Sequence, residues 1–306
     1  MARIPESEFF VVDGKVYCLQ IGPEQLAPNI LLVGDPARVV KVARHFDSVE
    51  HEVSYRDFST KTGTCKGVPI SVICPGIGTD NNEIAMVECF GLNRFDIVTR
   101  EEKEEAIPLT FIRVGSSGGI QADVAPGTLA IGEYGLGLDN TGLFYDHPPA
   151  DAIVTAIEEQ AYQILTDASS PDSRFKGKIH PYASKADSKV VSALAANAQG
   201  DFVQGITASA SGLFGPQGRN LPGLKITIPE LAKALSRIDV ESKKVYNFEM
   251  ESSALFHLAN QMGYSAGAIC PIIANRHTGE FLADYSKSEE QAIQTAIAAM
   301  LSLKSA

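Results

Sequence analysis

The chain has 306 residues and a formal net charge of −11, from 26 lysines and arginines against 37 aspartates and glutamates. No basic stripe is present that could neutralise a phosphate backbone, so the charge argues against a protein that binds nucleic acid or anionic membranes. With 44% hydrophobic and 21% charged residues, the composition is that of a globular protein with a sizeable core, which excludes disordered, collagen-like and coiled-coil classes.

The first third of the chain begins with a strand, a turn and a helix. Residues 30–33 are a short apolar run that ends in Gly34-Asp35-Pro36, and apolar residues then recur at helical spacing over 37–46. This pattern is typical of a buried strand, a tight turn and an amphipathic helix with proline at its first position. Strands are predicted over 49–55, 58–65 and 68–74, with a turn at Lys66-Gly67 between the last two. Gly76-Ile77-Gly78 then leads into a helix predicted over 81–95.

The rest of the chain alternates strands with helices. A strand over 110–114 carries Arg113 near its end and runs into a glycine- and serine-rich turn over 115–119. Further strands are predicted over 128–132, 178–183, 202–208 and 266–273, helices over 152–165, 188–196, 251–262 and 289–303, and long loops over 166–176 and 213–224. We therefore predict a single α/β domain over residues 1–306, with a mixed central β-sheet flanked by helices. Residues 1–16 are interpreted as an N-terminal extension and residues 99–108 as a surface insertion.

Two arginines stand where an anion could bind. Arg38 lies one turn into a helix that follows the Gly34 turn, where backbone N–H groups and the helix dipole favour negative charge. Arg113 points from a strand end into a turn in which Ser116 and Ser117 could add further donors. Both are donors of the kind that bind phosphate. For either arginine alone, an ordinary surface or ion-paired role is the more frequent explanation.

Two further clusters suggest recognition of a sugar and of a planar ring. Glu249 and Glu251 flank Met250, and on an extended segment their carboxylates would share one face, which suits bidentate capture of a diol. They could equally be acidic residues that complement a helix dipole. Gln217 and Arg219, separated by one glycine in a long loop, could contact a ring edge that carries both donors and acceptors.

Several common motifs are absent or fail in context. Residues 115–119 match the G-x-S-x-G elbow of hydrolases, but Pro126 and Gly127 follow too soon for the helix that an elbow requires. The six histidines have no metal-ligand spacing, so no metal site is predicted. The five cysteines form no CxxC pair, no signal peptide is evident, and no apolar run reaches the roughly 18–20 residues that cross a bilayer. We expect a soluble, cytoplasmic protein without nucleic-acid or membrane partners.

Taken together, six segments resemble the nucleoside phosphorylase family, and most closely its uridine phosphorylase branch. They occur in the family's order and approximate spacing between about residues 17 and 303: Gly34-Asp35-Pro36-x-Arg38, Tyr55-Arg56-Asp57-Phe58, Gly76-Ile77-Gly78, Arg113-Val114-Gly115-Ser116-Ser117-Gly118, Gln217-Gly218-Arg219 and Phe248-Glu249-Met250-Glu251-Ser252. The resemblance implies the family's α/β fold and phosphorolysis of a pyrimidine ribonucleoside, in which uridine and phosphate give uracil and ribose 1-phosphate. It implies no metal or organic cofactor, and inorganic phosphate acts as a co-substrate.

The resemblance also implies roles for individual residues. Phosphate would be held by Gly34, Arg38, Arg113 and Ser116, with Arg56 lent by the neighbouring subunit of a dimer, and similar proteins form hexamers built from such dimers. The ribose would be held by Met250 and Glu251, with Glu249 beside them, and the base by Gln217 and Arg219. Arg113, Gln217, Arg219 and Glu251 are the expected catalytic residues.

Some positions depart from the family's pattern and keep alternatives open. Cys18, in a segment that would also be shared across the dimer, stands where the family usually has a histidine for the ribose 5′-hydroxyl, and Leu213 stands where an aromatic ring commonly stacks on the base. The alternatives are a purine nucleoside phosphorylase, a nucleosidase that uses water, and a nucleoside-binding relative with an altered site. Asn275 argues against the first, since purine-specific relatives carry an aspartate there, and the arginines around an anion argue against the second.

Overall fold

The computed structural model describes residues 3–304, so residues 1, 2, 305 and 306 of the predicted domain lie outside the described residues. The strands are β1 Val11–Val12, β2 Lys15–Val16, β3 Asn29–Val33, β4 Ser48–Tyr55, β5 Phe58–Cys65, β6 Val68–Cys74, β7 Thr110–Val114, β8 Ser117–Gly119, β9 Leu129–Gly137, β10 Tyr182–Lys185, β11 Phe202–Ser209, β12 Asp239–Val240, β13 Lys243–Glu249 and β14 Ser265–Asn275. The α-helices are α1 Pro36–Ala43, α2 Thr79–Arg94, α3 Ala152–Ala168, α4 Ser188–Ala196, α5 Leu231–Leu235, α6 Ser252–Met262 and α7 Ser286–Lys304.

A twelve-stranded mixed sheet forms the centre of the molecule. Its strand order is β10-β9-β11-β13-β8-β14-β7-β3-β6-β5-β4, with β12 paired to β13. Strand β9 pairs with β11 on one side and with β14 on the other, so the strands from β9 to β14 along this order close into a ring. This architecture confirms the predicted α/β fold with a mixed central sheet flanked by helices.

The parallel strands of the sheet bring distant turns to one edge. In β3 and β7, Val33 pairs with Val114, so the turns that begin at Gly34 and Gly115 lie side by side. In β11 and β13, Ser209 pairs with Glu249 at the carboxyl ends of both strands. Because ligands of open α/β sheets bind outside the carboxyl ends of the strands, this edge is where a site is expected.

The core lies between the sheet and the helices that cover it. Fully buried side chains such as Leu31, Phe111 and Phe256 come from β3, β7 and α6. Helix α6 packs against both α2 and the sheet, and it begins directly after Glu251. The start of α6 therefore lies next to the carboxyl end of β13.

Most predicted elements are confirmed, but the short elements β1, β2, β8, β12 and α5 were not predicted. The strand predicted over 178–183 is wrong for residues 178–181, because Pro181 lacks an N–H for pairing and His180 stacks on Tyr162 at 5.1 Å, so β10 begins at Tyr182. The sequence pattern does not predict strand β13, although it does indicate an extended segment near Glu249. The assignment of residues 1–16 and 99–108 as an extension and an insertion stays a prediction.

Candidate active site

A cavity of about 610 Å³ opens at the carboxyl edge of the sheet. Nearly all of the residues predicted for substrate binding line it: Gly34, Arg38, Arg113, Ser116, Gln217, Arg219, Glu249, Met250 and Glu251. They come from strand ends, helix starts and one loop, and the structure brings them together around one space. Arg56 is the predicted residue that does not reach this cavity.

Arg113 is the central charge of the site. Its Nε donates to Glu249 Oε2 at 2.9 Å, and its Nη2 donates to Glu251 Oε2, while only 5% of the residue is exposed. Burial opposes the charge on Arg113, but the two carboxylates outweigh it and raise the pKa of the guanidinium. Gly115 makes room for this arrangement, because a side-chain carbon there would lie 3.0 Å from the guanidinium. Arg113 is therefore permanently charged and held in one orientation.

The two carboxylates next to Arg113 differ in their surroundings. Glu249 accepts hydrogen bonds from Arg113, the Ser209 hydroxyl and the backbone N–H groups of Glu251 and Ser252. Burial opposes its ionisation, but the charge of Arg113 and these donors lower the pKa of Glu249. Its acceptor capacity is essentially used up within the protein.

Glu251 keeps capacity for a ligand. Its Oε1 accepts the N–H of Gly78 at 2.7 Å, and its Oε2 accepts from Arg113, which leaves each oxygen room for another donor. Burial and the neighbouring charge of Glu249 raise the pKa of Glu251 to about 7, although Arg113 acts in the opposite direction. Gly78 adopts a φ of 109°, which directs its N–H at the carboxylate and favours glycine at this position.

Arg38 lies behind the turns of β3 and β7. Its Nε donates to Glu289 Oε1 at 2.7 Å, and its Nη1 donates to the carbonyl of Val114 at 3.1 Å. A side-chain carbon on Gly34 would lie 3.9 Å from Arg113 Nη1, so the Gly34 turn and the two guanidinium groups face the same end of the cavity. Both arginines are thus ion-paired and also line the cavity. The ion-paired role and the anion-binding role that the sequence raised as alternatives are therefore compatible for these two residues.

The opposite end of the cavity is formed by the loop after β11. Gln217 is buried in a single 3₁₀ turn over Gly215–Gln217, and Gly218 has a left-handed φ of 65° where a side-chain carbon would lie 2.6 Å from Leu231. Arg219 Nε donates to the carbonyl of Leu213 at 2.9 Å. Burial lowers the pKa of Arg219, and among the described residues it has no carboxylate partner. Gln217 and Arg219 are therefore held beside each other, as predicted.

The structure adds residues that the sequence did not single out at this end. Arg276, which follows β14, donates to the carbonyl of Gln217 at 3.2 Å. Burial and the nearby charge of Arg219 lower its pKa, so two guanidinium groups approach the same region. Phe214 and Phe281 line the cavity, and 68% of Phe281 is exposed. Aromatic side chains are thus available near Leu213. Phe214 stands within the predicted loop over 213–224, close to Gln217, and this is the sequence signal that could have identified it.

Arg56 and Cys18 lie outside the cavity within one chain. The exposed Arg56 donates to the Tyr17 hydroxyl at 2.8 Å and stacks on the rings of Tyr17 and Tyr55. Cys18 donates its backbone N–H to Glu88 Oε1 at 2.7 Å, and burial together with the charge of Glu88 raises the pKa of its thiol. The predicted exchange of these residues between subunits stays a prediction.

Asn275 is committed to structural hydrogen bonds. Its amide nitrogen donates to the carbonyls of Gln121 and Val124 at 2.8 and 2.7 Å, and its oxygen accepts the N–H groups of His277 and Thr278.

The turn after Gly115 runs into the short strand β8, so the helix needed by a hydrolase elbow does not form there. Within residues 3–304 no group of three or more His, Cys, Asp or Glu side chains could hold a metal, and no helix is long and apolar enough to cross a membrane.

The family model of the phosphorylase superfamily matches residues 28–304, which covers every element of the cavity. The chain belongs to the phosphorylase superfamily. Among relatives in the superfamily, it is 33% identical to a uridine phosphorylase from Thermococcus kodakarensis, over 92% of this chain and 83% of that protein. It is 27% identical to a uridine phosphorylase from Haemophilus influenzae, over 95% of this chain and 99% of the other.

A solved structure from the same superfamily has a closely similar fold. The Trypanosoma brucei nucleoside phosphorylase, described as showing uridine phosphorylase activity, has a TM-score of 0.83 and 26% identity, over 95% of this chain and 98% of that one. The family predicted from the six sequence segments is confirmed.

Proposed function

We propose that this protein is a uridine phosphorylase, which uses inorganic phosphate to split uridine into uracil and ribose 1-phosphate. The observation that carries the proposal is the cavity itself, because buried arginines, a carboxylate and an amide–guanidinium pair all line it. These are the groups needed for an oxyanion, a sugar diol and a polar ring edge. The uridine phosphorylases among its relatives support the same substrate.

Phosphate binds at the end formed by Gly34, Arg38, Arg113 and Ser116. The guanidinium groups there orient the nucleophile and shield its charge, which converts a bimolecular encounter into attack from a fixed position. A phosphate oxygen forms the new bond to the anomeric carbon while the bond from that carbon to the pyrimidine nitrogen breaks. The electron pair of the broken bond leaves with the base.

The ribose lies between the phosphate and the base, against Met250 and Glu251. Glu251 retains unused acceptor capacity on both oxygens, so it accepts hydrogen bonds from the sugar hydroxyls. Glu249 has its oxygens fully engaged and acts by holding Arg113 and the start of α6. A carboxylate at this place favours ribose over 2′-deoxyribose.

The base binds between the polar pair Gln217 and Arg219 and the rings of Phe214 and Phe281. As the glycosidic bond breaks, negative charge grows on the base, and Arg219 with Arg276 beside it stabilises that charge more than it stabilises the neutral nucleoside. Phosphorolysis by this route uses protein side chains and phosphate, without a metal or an organic cofactor.

The hydrogen bonds of Asn275 argue against the purine alternative. A purine phosphorylase of this family needs an acid there to protonate the base, whereas Asn275 uses both ends of its amide to hold backbone segments. Arg38 and Arg113 argue against a nucleosidase, because an attacking water needs no cationic groups around it.

We further propose that the chain works in the cytoplasm as a dimer-built oligomer, a hexamer, in which each subunit lends Arg56 and the Cys18 region to its neighbour's phosphate and sugar. The exposed position of Arg56, beside a hollow that also touches Gly34 and Ile77, supports this arrangement. The sedimentation behaviour of the purified protein, compared with that of an Arg56→Glu variant, tests it.

A substrate panel tests the proposed activity. Uridine, 2′-deoxyuridine, thymidine and inosine are each incubated with the protein, with and without phosphate, and free base is separated by chromatography. Uracil release that depends on phosphate, together with ribose 1-phosphate in equal amount, is expected. Release that ignores phosphate would indicate a nucleosidase, release from inosine alone a purine enzyme, and no release a binding protein.

A further inference from the structure

A chain of buried hydrogen bonds connects the carboxylates of the site to the far side of helix α6. Ser209, at the end of β11, donates its hydroxyl to Glu249 Oε1 and accepts the backbone N–H of Ser253 at 3.0 Å. The Ser253 hydroxyl donates to Asp139 Oδ2 at 2.9 Å, and the Tyr182 hydroxyl donates to the same carboxylate at 2.9 Å. Ser209, Ser253, Asp139 and Tyr182 are all buried, and none of them lines the cavity.

This chain of bonds changes how helix α6 is capped. The first N–H groups of a helix are usually bonded by the side chain of the residue at its N-cap. In α6 that residue is Glu251, whose side chain makes no capping bond. Glu249 accepts the N–H of Ser252 and Ser209 accepts the N–H of Ser253 in its place. The carboxylate of Glu251 is thereby left to face Arg113, Gly78 and the cavity.

The far end of the chain is held rigidly. The ring of Tyr182 lies between Gly137 and Gly142, and a side-chain carbon at either glycine would overlap it. Asp139 also accepts the N–H of Thr141 at 2.8 Å. Burial and the charge of Asp139 raise the pKa of Tyr182, so its hydroxyl stays a hydrogen-bond donor. Ser253 therefore meets an acceptor, Asp139, whose position is set by two other contacts, from the Tyr182 hydroxyl and the Thr141 N–H.

We propose that Ser209, held through Ser253 by the Asp139–Tyr182 pair, is a positioning residue that sets Glu251 against the sugar hydroxyls. The proposal rests on the uridine phosphorylase activity inferred above. A site performs well only when its groups are held within about 0.5 Å of the productive geometry by residues around them. Removing the Ser209 hydroxyl takes one hydrogen-bond donor from Glu249 and the acceptor from the Ser253 N–H in the first turn of α6. Glu251 lies in the chain between Glu249 and α6, so its carboxylate is expected to shift.

The selectivity for uridine over 2′-deoxyuridine distinguishes a positioning role of Ser209 from a purely structural one, because a loss of folded protein does not change it. The kcat/KM values for uridine and 2′-deoxyuridine are measured at saturating phosphate in wild type and in Ser209→Ala. We expect the ratio of the two values to fall roughly fivefold toward one, because misplacement of Glu251 affects the substrate with the 2′-hydroxyl more. A lower fraction of folded protein reduces both values equally and leaves their ratio unchanged.

Thr207 provides a matched control. It lies two residues earlier in β11, and its buried hydroxyl donates to Asn247 on the same neighbouring strand at 2.9 Å, without reaching the cavity. Thr207→Val should keep the wild-type ratio, and Ser209→Thr, which keeps the hydroxyl, should restore most of it. A ratio in folded Ser209→Ala equal to that of wild type overturns the proposal.

A second pair of variants keeps the test decisive if Ser209→Ala does not fold. Tyr182→Phe should lower the ratio about twofold, whereas Tyr134→Phe should not, since the Tyr134 hydroxyl donates to Asp151 at 3.1 Å outside the chain of bonds. Equal ratios in the two variants contradict the proposal. A wild type that releases no uracil refutes the proposed function itself, whereas an active wild type with unmoved ratios refutes only the positioning role.

Discussion

The two ends of the cavity are built in opposite ways. At the end formed by β3, β7 and β13, each buried arginine has a carboxylate of the same chain as its partner: Arg38 with Glu289, and Arg113 with Glu249 and Glu251. At the end formed by the loop after β11, Arg219 and Arg276 approach each other, and the described residues supply no carboxylate to either. The arginines of the first end are paired with carboxylates before any ligand arrives, whereas those of the second have no carboxylate partner among the described residues.

This difference fits the two tasks that the proposed reaction sets. The charge of phosphate and the hydroxyl groups of ribose are present before the reaction begins, so their end of the site has to hold its donors and acceptors in fixed positions. The base becomes negative only as its bond to the sugar breaks. Burial lowers the pKa of both arginines, and the charge of Arg219 lowers that of Arg276 further, so this cationic region interacts more strongly with that transition state than with the neutral substrate. The comparison predicts that variants at the two ends fail in different ways.

Arg113→Ala should have the largest effect, because it removes the partner of two buried carboxylates. We expect the free energy of unfolding to fall by about 3–5 kcal/mol and phosphate use to be almost lost. Urea unfolding and the phosphate KM measure the two effects. Lys61→Ala, which removes a pair with the exposed Glu52, is the control and should cost less than about 1 kcal/mol. A folded Arg113→Ala protein with a wild-type phosphate KM would exclude Arg113 from the phosphate site.

Arg219→Ala should lower kcat about 100-fold with little change in stability, since no buried carboxylate depends on it. Steady-state kinetics with uridine and thermal unfolding measure the two quantities. Arg237→Ala, at an exposed arginine whose Nε donates only to the carbonyl of Ala234, is the control. An unchanged kcat with a raised uridine KM would mean that Arg219 binds substrate and transition state equally.

Asn275→Asp should show that the base end also contains a residue whose buried hydrogen bonds stabilise the fold. The aspartate cannot donate to the carbonyls of Gln121 and Val124, so we expect a loss of about 1–3 kcal/mol in unfolding free energy and no gain of inosine phosphorolysis. Unfolding by urea and the substrate panel provide the measurements, with Asn140→Asp at an exposed position as control. Efficient cleavage of inosine by Asn275→Asp would revive the purine alternative.

The pH dependence should be the smallest effect and belongs to the carboxylate end. With a pKa of about 7, Glu251 is mostly protonated one unit below that value, so uridine kcat/KM at saturating phosphate should be about tenfold lower at pH 6 than at its plateau. Glu251→Gln should flatten this profile. A profile with the same midpoint in the variant would assign the titration to another group.

The raised pKa of Glu251 also affects how the free energy of unfolding depends on pH. The sign is opposite to that of a carboxylate whose pKa is lowered on folding. Because folding raises the pKa of Glu251, its stabilising contribution is present below its ordinary pKa and is lost as pH rises toward about 7. Wild type should therefore lose stability relative to Glu251→Gln between about pH 5 and pH 8. Urea unfolding of both proteins across this range checks the direction.

Much of the candidate site could be predicted from local sequence. The glycine turn after β3, the arginine at the end of β7 and the Gln217-Gly218-Arg219 segment are each defined by a few adjacent residues. Their order along the chain identified the family, and strand pairing then placed most of them around one cavity. The saturation of Glu249 could not be predicted, because its partners Arg113 and Ser209 lie 136 and 40 residues away.

The sequence by itself determined the alternation of strands and helices, the turns that need glycine, and the residue types that the chemistry requires, because these depend on neighbours within a few positions. The tertiary structure alone decided which charges meet. It paired Arg113 with two carboxylates, placed Arg276 beside Arg219, and left Arg56 outside the cavity. Charge pairing and burial set pKa values and unused hydrogen-bonding capacity, and both depend on contacts between elements that only the folded sheet brings to one edge.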